Sequence, residues 1–259
     1  MARKHQLREQ RTGTVINLTA KKQESRVGQA LLAVAQRLEQ QFGVSLHHAG
    51  DWKLRDVVGE LRKQFPDVGF FYHFETSAMR PDGGILSIKD TTGQTFPVLI
   101  VEVKNQGTND LRALEGKPPQ ARGNAIERLG KNVIGFRTAM LNEGITPFVC
   151  FGDGCDFAES SSILDRVVTI AMFGPLNEIS VVNQGEHGRF NRGSFFFRPA
   201  AWTADEMAEI MYEIASRSVH YYYAKYGKEH FQSEVGVEGA EPQPRRYASR
   251  NRSKQGKRG

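Results

Sequence analysis

Residues Arg80 to Lys104, RPDGGILSIKDTTGQTFPVLIVEVK, decide how this 259-residue chain is read. Two runs rich in aliphatic and β-branched residues, Ile85 to Lys89 and Thr95 to Lys104, flank Asp90-Thr91-Thr92-Gly93, and the pattern predicts a β-hairpin. A loop of Thr91-Thr92-Gly93, with Gly93 at positive φ as a bulge, pairs Asp90 with Gln94. Carried along the ladder, that register sets Asp82 opposite Glu102. Side chains alternate along a strand, so Lys104 shares the face of Glu102, about 6–7 Å further on. Val101 and Val103 then point the other way, into a core. Two carboxylates and one ammonium converge on one patch. Phosphodiester hydrolysis asks for such a set: carboxylates hold Mg²⁺ through oxygen, the metal polarises the phosphate and acidifies a water, and lysine stabilises the charge that develops. A solvated sheet face with a cross-strand ion pair gives the same residues, so the pattern needs support from elsewhere in the chain. Pro66-Asp67 also precedes Glu102, but much further back, and the hairpin selects Asp82.

Composition narrows the class. Hydrophobic residues make up 39% and charged residues 25%, the balance of a soluble globular protein, and the length allows a sizeable core. No apolar run approaches the ~20 residues of a membrane span, and MARKHQLREQRTG lacks the apolar segment of a signal peptide, which predicts a cytoplasmic protein with no membrane partner. Cys150 and Cys155 match no zinc pattern and are expected to stay reduced, with Cys150 in a strand core. The charge is uneven. Of the formal net +6, residues 242–259 hold +7 with no acid, so the remainder carries −1. A basic stretch of this composition is expected to be disordered and to favour polyanions, nucleic acid first; a solubilising extension has the same composition.

Along the chain, residues 1–24 read as a basic N-terminal arm, 25–232 as one domain and 233–259 as a disordered basic tail. Helical spacing predicts helices over Arg26 to Phe42, about Asp51 to Phe65 with Asp51 as N-cap, and Asn124 to Leu141. Ser160-Ser161-Ser162 caps a further helix, and Thr203-x-x-Glu206 is a capping box opening a long helix to about Tyr226. Strands are expected at Phe70 to Phe74, Pro147 to Gly152, Glu178 to Asn183 and Ser194 to Phe197. Asn105 to Gly123 reads as a long polar loop, the kind that is usually functional or mobile. Strands interleaved with helices around one sheet predict a single α/β domain.

A second signal lies at Gly123-Asn124-Ala125-Ile126-Glu127-Arg128, where a helix begins after the polar loop. A helix N-terminus offers free N–H groups to phosphates or base edges, and Asn pairs bidentately with adenine; an ordinary N-cap Asn with a surface Glu-Arg pair is the plainer reading. RPDGG, then VEVKNQG, then GNAIER with a nearby KN, in this order, resemble the EcoRI-like type II restriction endonucleases. WTADEMAEIMYEI is similar to a late helix of that family, and the resemblance covers roughly Phe65 to Phe231.

The resemblance implies a central mixed β-sheet flanked by helices and a homodimer. It implies Mg²⁺-dependent double-strand cleavage of a short palindrome, with 5′ phosphates and 5′ overhangs. It assigns catalysis to Asp82, Glu102 and Lys104, with Asp82, Glu102 and the Val103 carbonyl as metal ligands. DNA contacts fall on Arg80, Gln106, Asn124, Ala125, Glu127, Arg128 and Arg166. The Asn124 to Arg128 block reads AATT in that family, so GAATTC is the expected site, with CAATTG or another AATT-centred sequence behind it. A separate DNA methyltransferase acting on the same site is the implied partner. Two departures bear on this. Ile163 stands where the family has a recognition arginine three residues before Arg166, and the stretch from Phe151 to Ile163 is shorter than in the family. Two other functions fit the residues: a structure-specific repair or recombination nuclease, and a non-catalytic basic nucleic-acid-binding protein.

Overall fold

The computed structural model describes residues 15–105, 109–118, 124–158, 161, 163–171 and 175–231. A five-stranded mixed sheet runs through it in the order β1 (Leu46–Ala49), β4 (Gly84–Lys89), β5 (Thr95–Asn105), β6 (Phe148–Asp153) and β7 (Ser194–Arg198). β4 runs antiparallel to both of its neighbours, β1 and β5, whereas β6 and β7 continue from β5 in parallel. A parallel step needs a crossover, and helices supply it: α4 (Asn124–Ala139) between β5 and β6, and α5 (Ile163–Ala171) with the short α6 (Gly185–Phe190) between β6 and β7.

Helices cover both faces of the sheet. On one face α1 (Val15–Phe42) and α7 (Ala204–Tyr226) bury Val27, Val34, Leu38, Met207, Met211, Ile214 and Val219 against Val101, Val103, Val149 and Phe151. On the other, α2 (Leu54–Gln64), α4 and α5 bury Val57, Leu61, Ile126, Val133, Phe136 and Val167 against Ile85, Ile100, Phe148 and Cys150. Each fully buried side chain of this size is worth about 1.5–3 kcal/mol. The α7 stripe is therefore core packing, and the 3.6-residue spacing of apolar positions in α1, α4 and α7 has its cause in these two layers.

Helix ends follow local chemistry. Thr203 accepts a hydrogen bond from Glu206 N while the Glu206 carboxylate accepts one from Thr203 N, the predicted capping box. Gly43, at φ 63°, closes α1 with its N–H bonded to Glu39 O at 3.0 Å, an αL ending that glycine adopts without Cβ strain. Ser161 Oγ accepts from Ile163 N at 3.4 Å; Ser160 and Ser162 lie outside the described residues.

Several expectations are corrected. α1 starts at Val15, well before Arg26, so part of the predicted arm is helical; residues 1–14 and 232–259 lie outside the described residues. α2 begins at Leu54 because Trp52–Lys53 (β2) pairs with Ala78–Met79 (β3), which leaves Asp51 before a strand and not at a helix cap. Phe70 to Phe74 forms no strand: Phe71 and Phe74 are exposed and no neighbouring strand edge receives the segment. Glu178 to Asn183 makes a single bridge, Ile145 with Val182, because its backbone bonds go to loops and side chains, such as Ser180 N to Ser194 Oγ at 2.9 Å. Within the predicted polar loop lies α3 (Asn109–Leu114).

Candidate active site

The hairpin turn folds as its residues dictate. Asp90 N donates to Gln94 O at 2.9 Å, Asp90 Oδ1 accepts from the N–H groups of Thr92 and Gln94, and Gly93 sits at φ 89°. The register then departs from the simple extrapolation. Lys89, Ile88 and Ser87 pair with Thr95, Phe96 and Pro97, but Leu86 pairs with Leu99, so Val98 is an inserted bulge residue. Pro97, which has no N–H to give the ladder, is the local reason for a break there. One residue of slip takes Asp82 out of direct opposition to Glu102.

The three groups meet nonetheless, because Asp82 is held by a turn and not by a strand. Gly84 N donates to Pro81 O at 3.1 Å and Gly83 N to Val101 O at 2.9 Å, wrapping Arg80 to Gly84 around the end of β5. His48 in β1 contacts Gly83 O through Nε2 at 3.0 Å and braces the turn from the other side. Asp82 N then donates to Glu102 Oε2 at 3.2 Å. Lys104 Nζ donates to Asp82 Oδ2 at 2.8 Å, to Val103 O at 3.1 Å, and to Glu102 Oε1 in a shorter contact.

Burial grades the three side chains: Glu102 is 1% exposed, Lys104 14% and Asp82 43%. Burial pushes the Glu102 carboxyl above its usual range, with Lys104 opposing and the Asp82 charge adding. Burial alone would lower Lys104, but Glu102 and Asp82 outweigh it and hold the ammonium above its ordinary value. The site is thus a buried acid, a charged lysine and a solvent-facing carboxylate. Beside Glu102 in the parallel ladder, the fully buried Cys150 thiol is pushed well up and stays neutral.

Sequence reasoning missed Asn132. From the middle of α4 its Nδ2 donates to both Glu102 oxygens at 3.3 Å. Its position in the KN pair near GNAIER was the available signal. His48, in the unremarkable edge strand Leu46–Ala49, gave none.

Among the predicted DNA contacts, Glu127 and Arg128 are exposed near the start of α4, and Arg166 is exposed on α5. Asn124 and Ala125 open α4 as expected; Gln106 lies outside the described residues. Arg80 bonds Asp51 Oδ2 through Nε at 3.4 Å, beside the turn that carries Asp82. Ile163 is 1% exposed in the core under α5, so the position where the family has a recognition arginine is a packing position in this chain.

A family model described as restriction endonuclease EcoRI matches residues 10–163, more than half of the chain. The chain belongs to the EcoRI restriction endonuclease family. The type II restriction enzyme RsrI of Cereibacter sphaeroides is 34% identical over 194 residues, which span 62% of this chain and 70% of the relative. The type II restriction enzyme EcoRI of Escherichia coli is 27% identical over 238 residues, 77% of this chain and 85% of the relative. As a member of the EcoRI family the protein is a type II site-specific endonuclease. The family match spans α1 to the start of α5 and so includes the Asp82 turn, β5 and α4.

Proposed function

We propose that the protein cuts both strands of a short palindromic DNA duplex, one strand per subunit of a homodimer, with Mg²⁺ held by Asp82, Glu102 and the Val103 carbonyl. The observation that carries the metal reading is where Lys104 Nζ lies: within hydrogen-bond reach of Asp82 Oδ2, Glu102 Oε1 and Val103 O together. Three hard oxygen donors already gather around one cationic centre, and all-oxygen donor sets suit Mg²⁺. When bound, the metal supplies Lewis-acid polarisation of the phosphate and a more acidic water.

The remaining chemistry belongs to the chain. Lys104 places a fixed positive charge where the attacking water and the phosphoryl oxygens develop negative charge. Asn132 and Asp82 N orient Glu102 from two sides. The apolar backing of Val101 and Val103 fixes β5 so that the two carboxylates keep their spacing. Asn124, Ala125, Glu127 and Arg128 at the start of α4, with Gln106, Arg166 and Arg80, read or position the DNA; GAATTC or another AATT-centred sequence is the site, cut to leave 5′ phosphates and 5′ overhangs. Two-fold protein symmetry mirrors a palindromic site. A separate methyltransferase protects the same sequence in a cytoplasmic setting. Among the described residues no helix is long and apolar enough to cross a membrane.

Incubating the protein and its Lys104→Ala variant with unmethylated phage DNA and Mg²⁺, then sequencing the fragment ends, tests site, cut position and catalysis together. The expected result is discrete fragments ending at one AATT-centred palindrome, and none from the variant, whose site binding persists because phosphate and base contacts come from other residues. Cleavage by Lys104→Ala, or cleavage in EDTA, refutes the assignment.

A further inference from the structure

The chemistry above uses none of Arg137, Arg189 and Arg192, yet the fold gathers them. With Thr138 they line a cleft of about 300 Å³ walled by the apolar side chains of Ile134 and Leu141. Arg137 comes from the last turn of α4, Arg189 from α6, and Arg192 from the loop leading into β7. Nε and Nη1 of Arg137 are buried and have no hydrogen-bond partner. Among the described residues no carboxylate ion-pairs with any of the three arginines. The Thr138 hydroxyl is already spent on Ile134 O at 2.8 Å, so the guanidinium groups supply the cleft's side-chain donors.

A buried charged donor with no acceptor is costly, and like charge nearby makes it more so. Burial, and then the charge of Arg192, lowers the Arg137 pKa. Such a cluster is completed by an anion rich in acceptor oxygens. A carboxylate brings one charge and two oxygens. A phosphate group brings up to about two charges and three or more acceptor oxygens, and guanidinium forks match its geometry bidentately.

We propose that this cleft binds a phosphate group through Arg137, Arg189 and Arg192. It is separate from the catalytic centre. Arg137 lies five residues beyond Asn132, about 7.5 Å along α4 and about 140° around it, so the cleft opens away from Asp82 and Glu102. The proposal does not rest on the nuclease chemistry. The phosphate group has two sources, a small phosphate-bearing solute or the backbone of a DNA segment outside the cut site.

Titration calorimetry of the full chain with inorganic phosphate, at ionic strength held constant with sodium chloride, reads the site directly. Saturable binding of one phosphate per chain is expected, weakened at least about tenfold in both Arg137→Leu and Arg189→Gln. Arg189 is exposed, so Arg189→Gln keeps the fold, and Arg137→Leu removes an unbonded buried charge. A second titration, with a duplex lacking any AATT, separates the sources. Saturating phosphate that weakens duplex binding in wild type but not in Arg189→Gln assigns the cleft to DNA backbone; duplex affinity indifferent to phosphate assigns it to a small solute. No saturable phosphate binding, or equal binding by wild type and both variants, overturns the proposal. So does a change in oligomeric state of Arg189→Gln without phosphate binding, which would assign the arginines to contact with a second copy of the chain.

Discussion

Replacing Asn132 with alanine isolates what α4 does for the Glu102 carboxylate. Its amide is shared between the two oxygens of Glu102, each at 3.3 Å, and Glu102 is 1% exposed, so water does not take its place. A hydrogen bond to a charged group is worth about 1.5–3 kcal/mol, and this long, divided geometry places Asn132 at the lower end, about 1.5 kcal/mol. If that interaction is felt as misplacement of Glu102 in the transition state, the cleavage step slows about tenfold. If it is felt in the fold, Tm falls by about 3–6 °C for a protein of this size. Single-turnover cleavage of a duplex carrying the recognition site, measured beside a thermal melt, separates the two. Asn132→Asp is expected to be worse than alanine, because it sets a third carboxylate against Glu102. An Asn132→Ala enzyme that cuts at the wild-type rate and melts at the wild-type temperature refutes the positioning argument.

Other perturbations test the surrounding structure. Gly84 sits at φ 79°, and a Cβ there meets Ala49 O at 2.8 Å as well as the His48 ring; Gly84→Ala is expected to cost about 1–3 kcal/mol in strain and to lower cleavage further by moving the turn that carries Asp82, with chemical denaturation and a cleavage assay as the readouts. Glu206, held by Arg198 and then by Thr203, titrates at about 2 in the folded chain. A carboxylate whose folded pKa lies below its unfolded value stabilises at neutral pH and loses that contribution as pH falls toward the folded pKa. Urea titrations should therefore show Glu206→Gln less stable than wild type at pH 7, with the difference narrowing between about pH 4.5 and 2. Phe136, 1% exposed and stacked on Phe148 with centroids 5.9 Å apart, should cost about 3–5 kcal/mol on truncation to alanine, read as a lower denaturation midpoint.

What was legible in the sequence followed strong local chemistry. The Asp90 to Gln94 turn, the capping box and the buried stripes of α4 and α7 each depend on residues within one or two turns of each other, and all appear in the fold. The approach of Asp82, Glu102 and Lys104 was also legible, though for a partly different reason. Extrapolated pairing could not include a bulge at Val98, and the Arg80 to Gly84 turn restores the approach that the slip removes. Aromatic content misled at Phe70 to Phe74, where β propensity found no strand to pair with. Asn132 and His48 act on the site through tertiary packing; the KN pair beside GNAIER was a signal for Asn132, and nothing in Leu46–Ala49 marks His48. The tri-arginine cleft likewise joins Arg137 of α4 to Arg189 and Arg192, more than fifty residues later in the chain, and periodicity carries no trace of it.

The face of the sheet that backs β5 is covered by the helices near the two ends of the chain. α1 is joined to α7 by Arg37 with Glu209, Tyr212 with Gln41, and Tyr223 with Phe42 O, and both pack on Val101 and Val103, the neighbours of Glu102 and Lys104. Neither helix completes that cover alone, so the backing of β5 forms only when α1 and α7, far apart in sequence, meet on Val101 and Val103. The chain-entropy cost of bringing two distant helices together precedes the contacts that offset it, so the support of Glu102 and Lys104 belongs to the non-local part of folding.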